Sequence, residues 1–306
     1  MPSLGSRPSS PQPAARRRSG GAHRRRTLLP LLVGGFVAAA LVVPLTPALA
    51  GAPQTGAAPR SNLTTGATSA TSSPLWGLGV SNSALNPNAL QSAMGMTFQA
   101  QGEYTTLTGN SYPFSSVQTA ANNGARILLN INSWHIVNGK WICYPYSNYP
   151  SGMYDGALQA WVDDLQAFNY ADTFVTFTHE PTAAHSVVGS SCGTPAQYVT
   201  AWEYVYHYFR AHGITYPFIW WMTGSSFRRG DAAQYQPPAS DFAVIAVDGY
   251  NRNTNGNWET PEFIFPAAHN YAVNLGKPLI VGEIGCQEDG RVPGHKASWK
   301  IGRAHV

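Results

Sequence analysis

The stretch Thr173-Phe174-Val175-Thr176-Phe177-Thr178-His179-Glu180 decides the fold. It reads as a buried strand that ends on a carboxylate. A second run, Pro278-Leu279-Ile280-Val281-Gly282-Glu283, ends the same way. The C-terminal end of a buried parallel strand is the face on which α/β barrels carry their chemistry. A glutamate closing an apolar strand costs free energy unless it is solvated or paired, so each asks for a reason. Two of them, distant in sequence, can face each other across a cleft. Glycoside hydrolysis uses such an arrangement, with one carboxyl as acid/base and the other as nucleophile or second base.

Working outward from these runs, further strands are expected at Trp76–Ser81, Thr97–Tyr104, Arg126–Ser133, Pro217–Met222 and Phe242–Asp248. Helical spacing lies between them. Ala157–Phe168 sets Leu158, Trp161, Val162 and Leu165 on one face, and Ala196–His212 does the same with Tyr198, Trp202, Val205 and Phe209, with Gly213 as a stop. Pro266–Leu275 is a third helix. Alternation of this kind predicts a parallel sheet with helices outside, an α/β fold of the (β/α)8 TIM-barrel type. Seven strands are found where a closed barrel needs eight. Lys296–Trp299 begins a further helix, and Ile301-Gly302-Arg303-Ala304-His305-Val306 reads as the translation of a sequencing adapter. The barrel at 75–300 is therefore expected to be C-terminally truncated, with 301–306 a non-native tail.

The N-terminal residues are set aside from the barrel. Arg16–Arg18 and Arg24–Arg26 precede an apolar run from Leu28 to Leu45 and then Ala48-Leu49-Ala50. A basic segment, an apolar core and a small-residue cleavage site make residues 1–50 a secretory signal peptide, the chain's one expected contact with a membrane. Residues 51–74, rich in Ala, Gly, Ser, Thr and Pro, read as a linker. The leader holds 7 of the 19 basic residues and none of the 15 acids, which leaves 12 cations against 15 acids and a net charge of −3 beyond it. Nucleic-acid binding loses its main argument on that count. An exported chain permits disulfides. Cys143 and Cys192 both follow expected strands and can pair above the barrel mouth, which leaves Cys286 over. The three cysteines do not have the spacing of a metal site, and no cofactor is indicated.

Five motifs stand in order: Thr176-Phe177-Thr178-His179-Glu180-Pro181, Tyr198-Val199-Thr200-Ala201-Trp202, Phe218-Ile219-Trp220-Trp221, Ile245-Ala246-Val247-Asp248-Gly249-Tyr250-Asn251, and Gly276-Lys277-Pro278-Leu279-Ile280-Val281-Gly282-Glu283-Ile284-Gly285. Together they resemble glycoside hydrolase family 26, the β-mannanase-like members of the clan of retaining (β/α)8 β-glycanases, over residues 75–299. The resemblance implies Glu180 as acid/base directly after His179, Glu283 as nucleophile, and Tyr250 as a contact of that nucleophile. It implies an endo-β-glycosidase acting on a polysaccharide, β-1,4-mannan first, with β-1,3-1,4-glucan or β-xylan behind; the signal peptide makes the protein exported, and a monomer is expected. The chain departs from the family's mannanases at Thr176, where they often carry arginine, and at Pro181-Thr182-Ala183-Ala184-His185, where they carry Asn-Gly and tryptophans. A non-catalytic carbohydrate-binding barrel is the alternative of another class.

Around the two glutamates, Trp134, Trp220, Trp221 and Trp258 are candidate platforms for sugar stacking, with alternation turning one of the Trp220-Trp221 pair inward and the other against a helix. An aromatic-rich core is the other use for such residues. Asn132 and Asn251 end strands and are candidates for binding hydroxyls or for forming turns. Asp248 is a lesser acid candidate, better suited to accept a structural hydrogen bond.

Overall fold

The computed structural model describes residues 79–81, 88, 91–92, 95, 97–108, 112–138, 140–182, 192–252 and 258–301. The signal peptide, the linker and residues 302–306 lie outside them. Among the described residues no helix is long and apolar enough to cross a membrane.

In chain order the elements are β1 (Gly79–Ser81), β2 (Ala100–Thr106), α1 (Ser115–Asn122), β3 (Arg126–Asn132), a hairpin of β4 (Trp134–Val137) and β5 (Lys140–Cys143), α2 (Asp155–Phe168), β6 (Thr173–Phe177), α3 (Pro195–Ala211), β7 (Ile219–Thr223), α4 (Gly224–Arg229), β8 (Val244–Asn251), α5 (Pro261–Ile264), α6 (Pro266–Leu275), β9 (Leu279–Cys286) and α7 (His295–Ile301). The parallel strands β1, β2, β3 and β6 neighbour one another in that order, as do β7, β8 and β9. A parallel bridge between Val175 and Phe218 joins the two sets. Among the described residues seven parallel strands thus follow one another in sequence order with helices between them, which is the wall of a (β/α)8 barrel. The hairpin stands apart as an antiparallel excursion after β3.

Alternation along the strands builds two apolar layers. Leu128, Ile219, Trp221, Ala246 and Ile280 meet inside the barrel, with Tyr104, Phe174 and Val244 against them. Outside, the strands pack on the helices through Val175, Phe177, Trp220, Val247 and Val281, which meet Leu158, Trp161, Tyr198, Trp202 and Phe209. The aromatic wealth of the chain is largely this outer core: Trp202, Trp220, Tyr198, Phe209 and Phe218 are among its fully buried side chains.

The helices start and stop where local chemistry dictates. At α3, Thr194 Oγ1 accepts from Gln197 N and Gln197 Oε1 accepts from Thr194 N, a reciprocal cap, with Pro195 at the first helical position. At α6, Pro266 opens the helix and Gly276, at φ 62°, closes it.

The strands of the site run longer than their sequence suggests. β8 continues past Asp248 to Asn251, and β9 continues past Gly282 to Cys286. Between β8 and β9 the register slips, since Val247 pairs with Val281 but Asp248 pairs with Glu283. Gly282 is the extra residue of this β-bulge. Strict alternation would have turned Glu283 outward, and the bulge turns it in. A Cβ on Gly282 would lie 2.3 Å from the Trp221 ring, so only glycine fits there.

Candidate active site

Glu180 sits on a contorted segment. Thr178 and Glu180 both have positive φ, at 53° and 47°, a region non-glycine residues rarely enter. Such strain persists only where the surroundings over-determine it. Here Thr178 N donates to Ile131 O of β3 at 2.9 Å, and Glu180 N donates to Trp221 O of β7 at 3.0 Å. Thr178 Oγ1 accepts from Ser133 N at 2.9 Å, and His179 N donates to Asn130 Oδ1 at 3.0 Å. The backbone is stitched to both neighbouring strands, and the glutamate is delivered to the mouth of the barrel.

His179 is fixed by two asparagines on β3. Asn130 Nδ2 lies 2.6 Å from His179 Nδ1 and 2.9 Å from Asn132 Oδ1. An amide that donates to Nδ1 leaves the ring proton on Nε2, and Nε2 lies 3.9 Å from Glu283 Oε1. Glu283 itself is gripped at both oxygens. The hydroxyl of Tyr104 donates to Oε1 and that of Tyr250 to Oε2.

Asp248 completes the centre. It is 3% exposed and accepts from Trp221 Nε1 at 2.6 Å. Its Oδ2 and the Oε1 of Glu180 are both buried, and the two carboxyls are hydrogen-bonding neighbours. Burial pushes the Glu180 carboxyl above its ordinary value; the neighbouring His179 opposes the shift and the charge of Glu283 adds to it. Burial pushes Asp248 well up too, with Glu283 and then Glu180 adding to it. His179, Glu180 and Asp248 present ligand atoms within 4.8 Å of one another, and this trio could hold a cation. With both carboxyls pushed toward their neutral forms, it suits a shared proton better.

The structure therefore brings Glu180, Glu283, His179 and Tyr250 together, with Asp248 among them. It also brings in Tyr104 and Asn130, which the sequence reading passed over. The other candidates stand elsewhere. Trp220 points outward, fully buried against Phe227, Phe242 and Tyr271, so it is a core residue and no sugar platform. Trp221 points inward but is 1% exposed, so it supports the floor of the site through Asp248, Tyr104 and His179. Asn132 is buried, and its Oδ1 accepts from Asn130 Nδ2 in place of a hydroxyl, which holds the amide that fixes His179. Asn251 is buried, and its Oδ1 accepts from Glu259 N at 3.3 Å, tying down the segment after β8.

Trp134 begins the hairpin with its ring 4.4 Å from Trp141, whose side chain is exposed. Trp258 has one face stacked on His295 at 3.8 Å, which leaves at most the other for a ligand. Cys143 and Cys192 form a disulfide that anchors the hairpin's end next to α3. Cys286 is buried, with its thiol on Gln287 O at 3.2 Å.

No protein-family model matches the chain, and no curated protein matches it. Solved structures are similar to it. A GH26 beta-mannanase from Bacteroides ovatus is 14% identical, with a TM-score of 0.49 over 64% of this chain and 65% of that one. The catalytic domain of a GH26 endo-beta-1,4-mannanase from Bacillus sp. JAMB-750 is 18% identical, with a TM-score of 0.48 over 66% of this chain and 62% of that one. A beta-mannanase from a symbiotic protist of the termite Reticulitermes speratus is 18% identical, with a TM-score of 0.45 over 70% of this chain and 71% of that one. The chain thus spans less than two thirds of the length of the first two.

Proposed function

We propose that this chain is a retaining β-glycosidase, with Glu283 as nucleophile and Glu180 as acid/base. One observation carries the reading: two carboxyls share the barrel mouth in opposite environments. Glu180 is pushed toward its neutral form by burial, while Glu283 accepts a phenolic hydrogen bond at each oxygen. Division of labour between two carboxyls follows from environments of that kind.

The steps follow from the residues. Glu283 attacks the anomeric carbon as the glycosidic bond breaks, and Glu180 gives its proton to the leaving oxygen. Glu180, now ionised, takes a proton from water, which releases the sugar from Glu283 with net retention. His179 stands beside both carboxyls, with its ring proton directed by Asn130 toward Glu283. Tyr250 and Tyr104 stabilise negative charge on the nucleophile until it is spent.

The substrate we propose is a β-1,4-mannan, with mixed-linkage β-glucan and β-xylan as the next candidates, attacked internally. The protein is proposed to act outside the cell as a monomer. The Cys143–Cys192 disulfide supports an oxidising compartment. The test is reducing-sugar release from mannan, glucomannan, mixed-linkage glucan and xylan by the wild type, Glu180→Ala and Glu283→Ala, with the product anomer followed by proton NMR. Activity on one polymer, retention of the β-configuration and loss in both variants are expected. Inversion, or a folded chain that binds a polymer and releases nothing, would overturn the reading.

A further inference from the structure

We propose that Tyr104 is a positioning residue of the nucleophile: from β2 it holds Oε1 of Glu283, so that Oε2, held by Tyr250, is the oxygen that attacks. The proposal rests on the reading of Glu283 as the nucleophile. The relevant facts are geometric. Tyr104 pairs with Asn130 across the β2–β3 ladder and points into the barrel. Its ring lies 4.8 Å from that of His179 and 6.0 Å from that of Trp221, and those two lie 5.7 Å apart. Trp221 in turn is pinned to Asp248. Three mutually packed rings therefore fix the Tyr104 hydroxyl against Oε1.

The two oxygens of Glu283 are not equivalent. Oε1 is faced by the Tyr104 hydroxyl and, at 3.9 Å, by His179 Nε2. Oε2 has the Tyr250 hydroxyl. On attack, a bond forms from Oε2 to the anomeric carbon and the bond from that carbon to the leaving oxygen breaks. The leaving oxygen takes the proton of Glu180. Oε1 becomes the carbonyl oxygen of the ester and keeps the hydrogen bond from Tyr104, whose proton never leaves it. Burial and the charge of Glu283 push the Tyr104 phenol well above its ordinary value, so it stays a donor at any working pH. The titratable groups around Glu283 are Tyr104 from β2, His179 and Glu180 from the end of β6, and Asp248 and Tyr250 from β8; Arg252 acts on Glu180.

Tyr104→Phe removes the hydroxyl and keeps the ring. The probes are 2,4-dinitrophenyl 2-deoxy-2-fluoro-β-mannobioside and its cellobioside counterpart, with covalent labelling followed by intact mass and peptide mapping. In Tyr104→Phe the labelling rate constant is expected to fall roughly 10- to 100-fold, the range for losing a hydrogen bond to a charged group. The inhibition constant and the melting temperature are expected to stay close to those of the wild type. Tyr104→Met, which lacks the ring, is expected to show at least the same rate defect. Labelling of Tyr104→Phe at the wild-type rate overturns the proposal alone. So does a loss carried by the inhibition constant and the melting temperature together, which would mark a merely structural tyrosine. A folded wild type that takes no label at Glu283 overturns the nucleophile reading itself, and this proposal with it.

Discussion

Nε1 of Trp221 donates a 2.6 Å hydrogen bond to Oδ1 of Asp248 inside the barrel, and Asp248 lies beside both glutamates of the site. The indole thus supports a carboxyl that burial has pushed toward its neutral form. A neutral aspartic acid has nearly the shape of asparagine. Asp248→Asn can keep the bond from Trp221 and place its amide toward Glu180. We expect Asp248→Asn to retain kcat/KM within about tenfold of the wild type. Asp248→Ala, which leaves the indole N–H buried and unpaired, should lose on the order of 100-fold or more, in line with the cost of an unsatisfied buried donor. Equal losses in the two variants would show that the charge of Asp248 is needed.

The raised Glu180 carboxyl depends in part on its neighbour. Burial is the main cause and the charge of Glu283 adds to it. Glu283→Gln removes that charge and is expected to move the Glu180 titration to lower pH while leaving it above the ordinary carboxyl range. Carbon-detected NMR of glutamate labelled at Cδ, assigned through Glu180→Gln, measures this directly. In active protein the same shift sets the alkaline limb: kcat/KM falls as pH rises through the Glu180 value, because the proton for the leaving group is lost.

Outside the site, Glu103 on β2 carries a pH-dependent cost. It is 5% exposed, and its Oε2 has no hydrogen-bond partner. Burial pushes it from 4.5 up to about 7, against a smaller lowering by Gln101. The folded state therefore binds a proton between those values that the unfolded state has released. Its contribution to stability is full below pH 4.5 and is lost as pH rises through about 7. By linkage the loss is on the order of 3 kcal/mol. Glu103→Gln should gain stability relative to the wild type as pH rises from 5 to 8, read as the difference in urea midpoint at each pH. A difference that stays constant with pH would contradict this.

The bulge at Gly282 is predicted to admit no side chain. In Gly282→Ala a methyl would sit 2.3 Å from the Trp221 ring, and either the ring or the strand must shift. Since Trp221 supports Asp248 and β9 carries Glu283, we expect overpacking to cost about 1–3 kcal/mol and activity to fall further than that loss of fold explains. Circular-dichroism melts beside kcat/KM separate the two effects. Full activity in a destabilised variant would show that the bulge does not place Glu283.

Much of this was legible in the chain. The apolar runs ending on Glu180 and Glu283 marked two strands and their carboxyls, because burying a strand on both faces leaves an unmistakable apolar signature. The hairpin after β3 was missed although Asn138-Gly139, between Trp134–Val137 and Lys140–Cys143, is a hairpin signal. Alternation foresaw that Trp220 and Trp221 would part, yet it gave no sign that both would be buried. Tyr104 was invisible for a different reason: its partner lies 179 residues away, and nothing in the local pattern of a mid-strand tyrosine reports so distant a contact. The inward turn of Glu283 depends on a one-residue slip, and only Gly282 hinted at it.

The most direct test of the two-carboxyl account is azide rescue on an aryl β-glycoside with a good leaving group. Azide should restore turnover of Glu180→Ala and give the β-glycosyl azide, because it meets the glycosyl ester on Glu283. It should restore Glu283→Ala and give the α-glycosyl azide, because it attacks directly from the vacated face. Reversed anomers, or the same anomer from both variants, would contradict the assignment of nucleophile and acid/base.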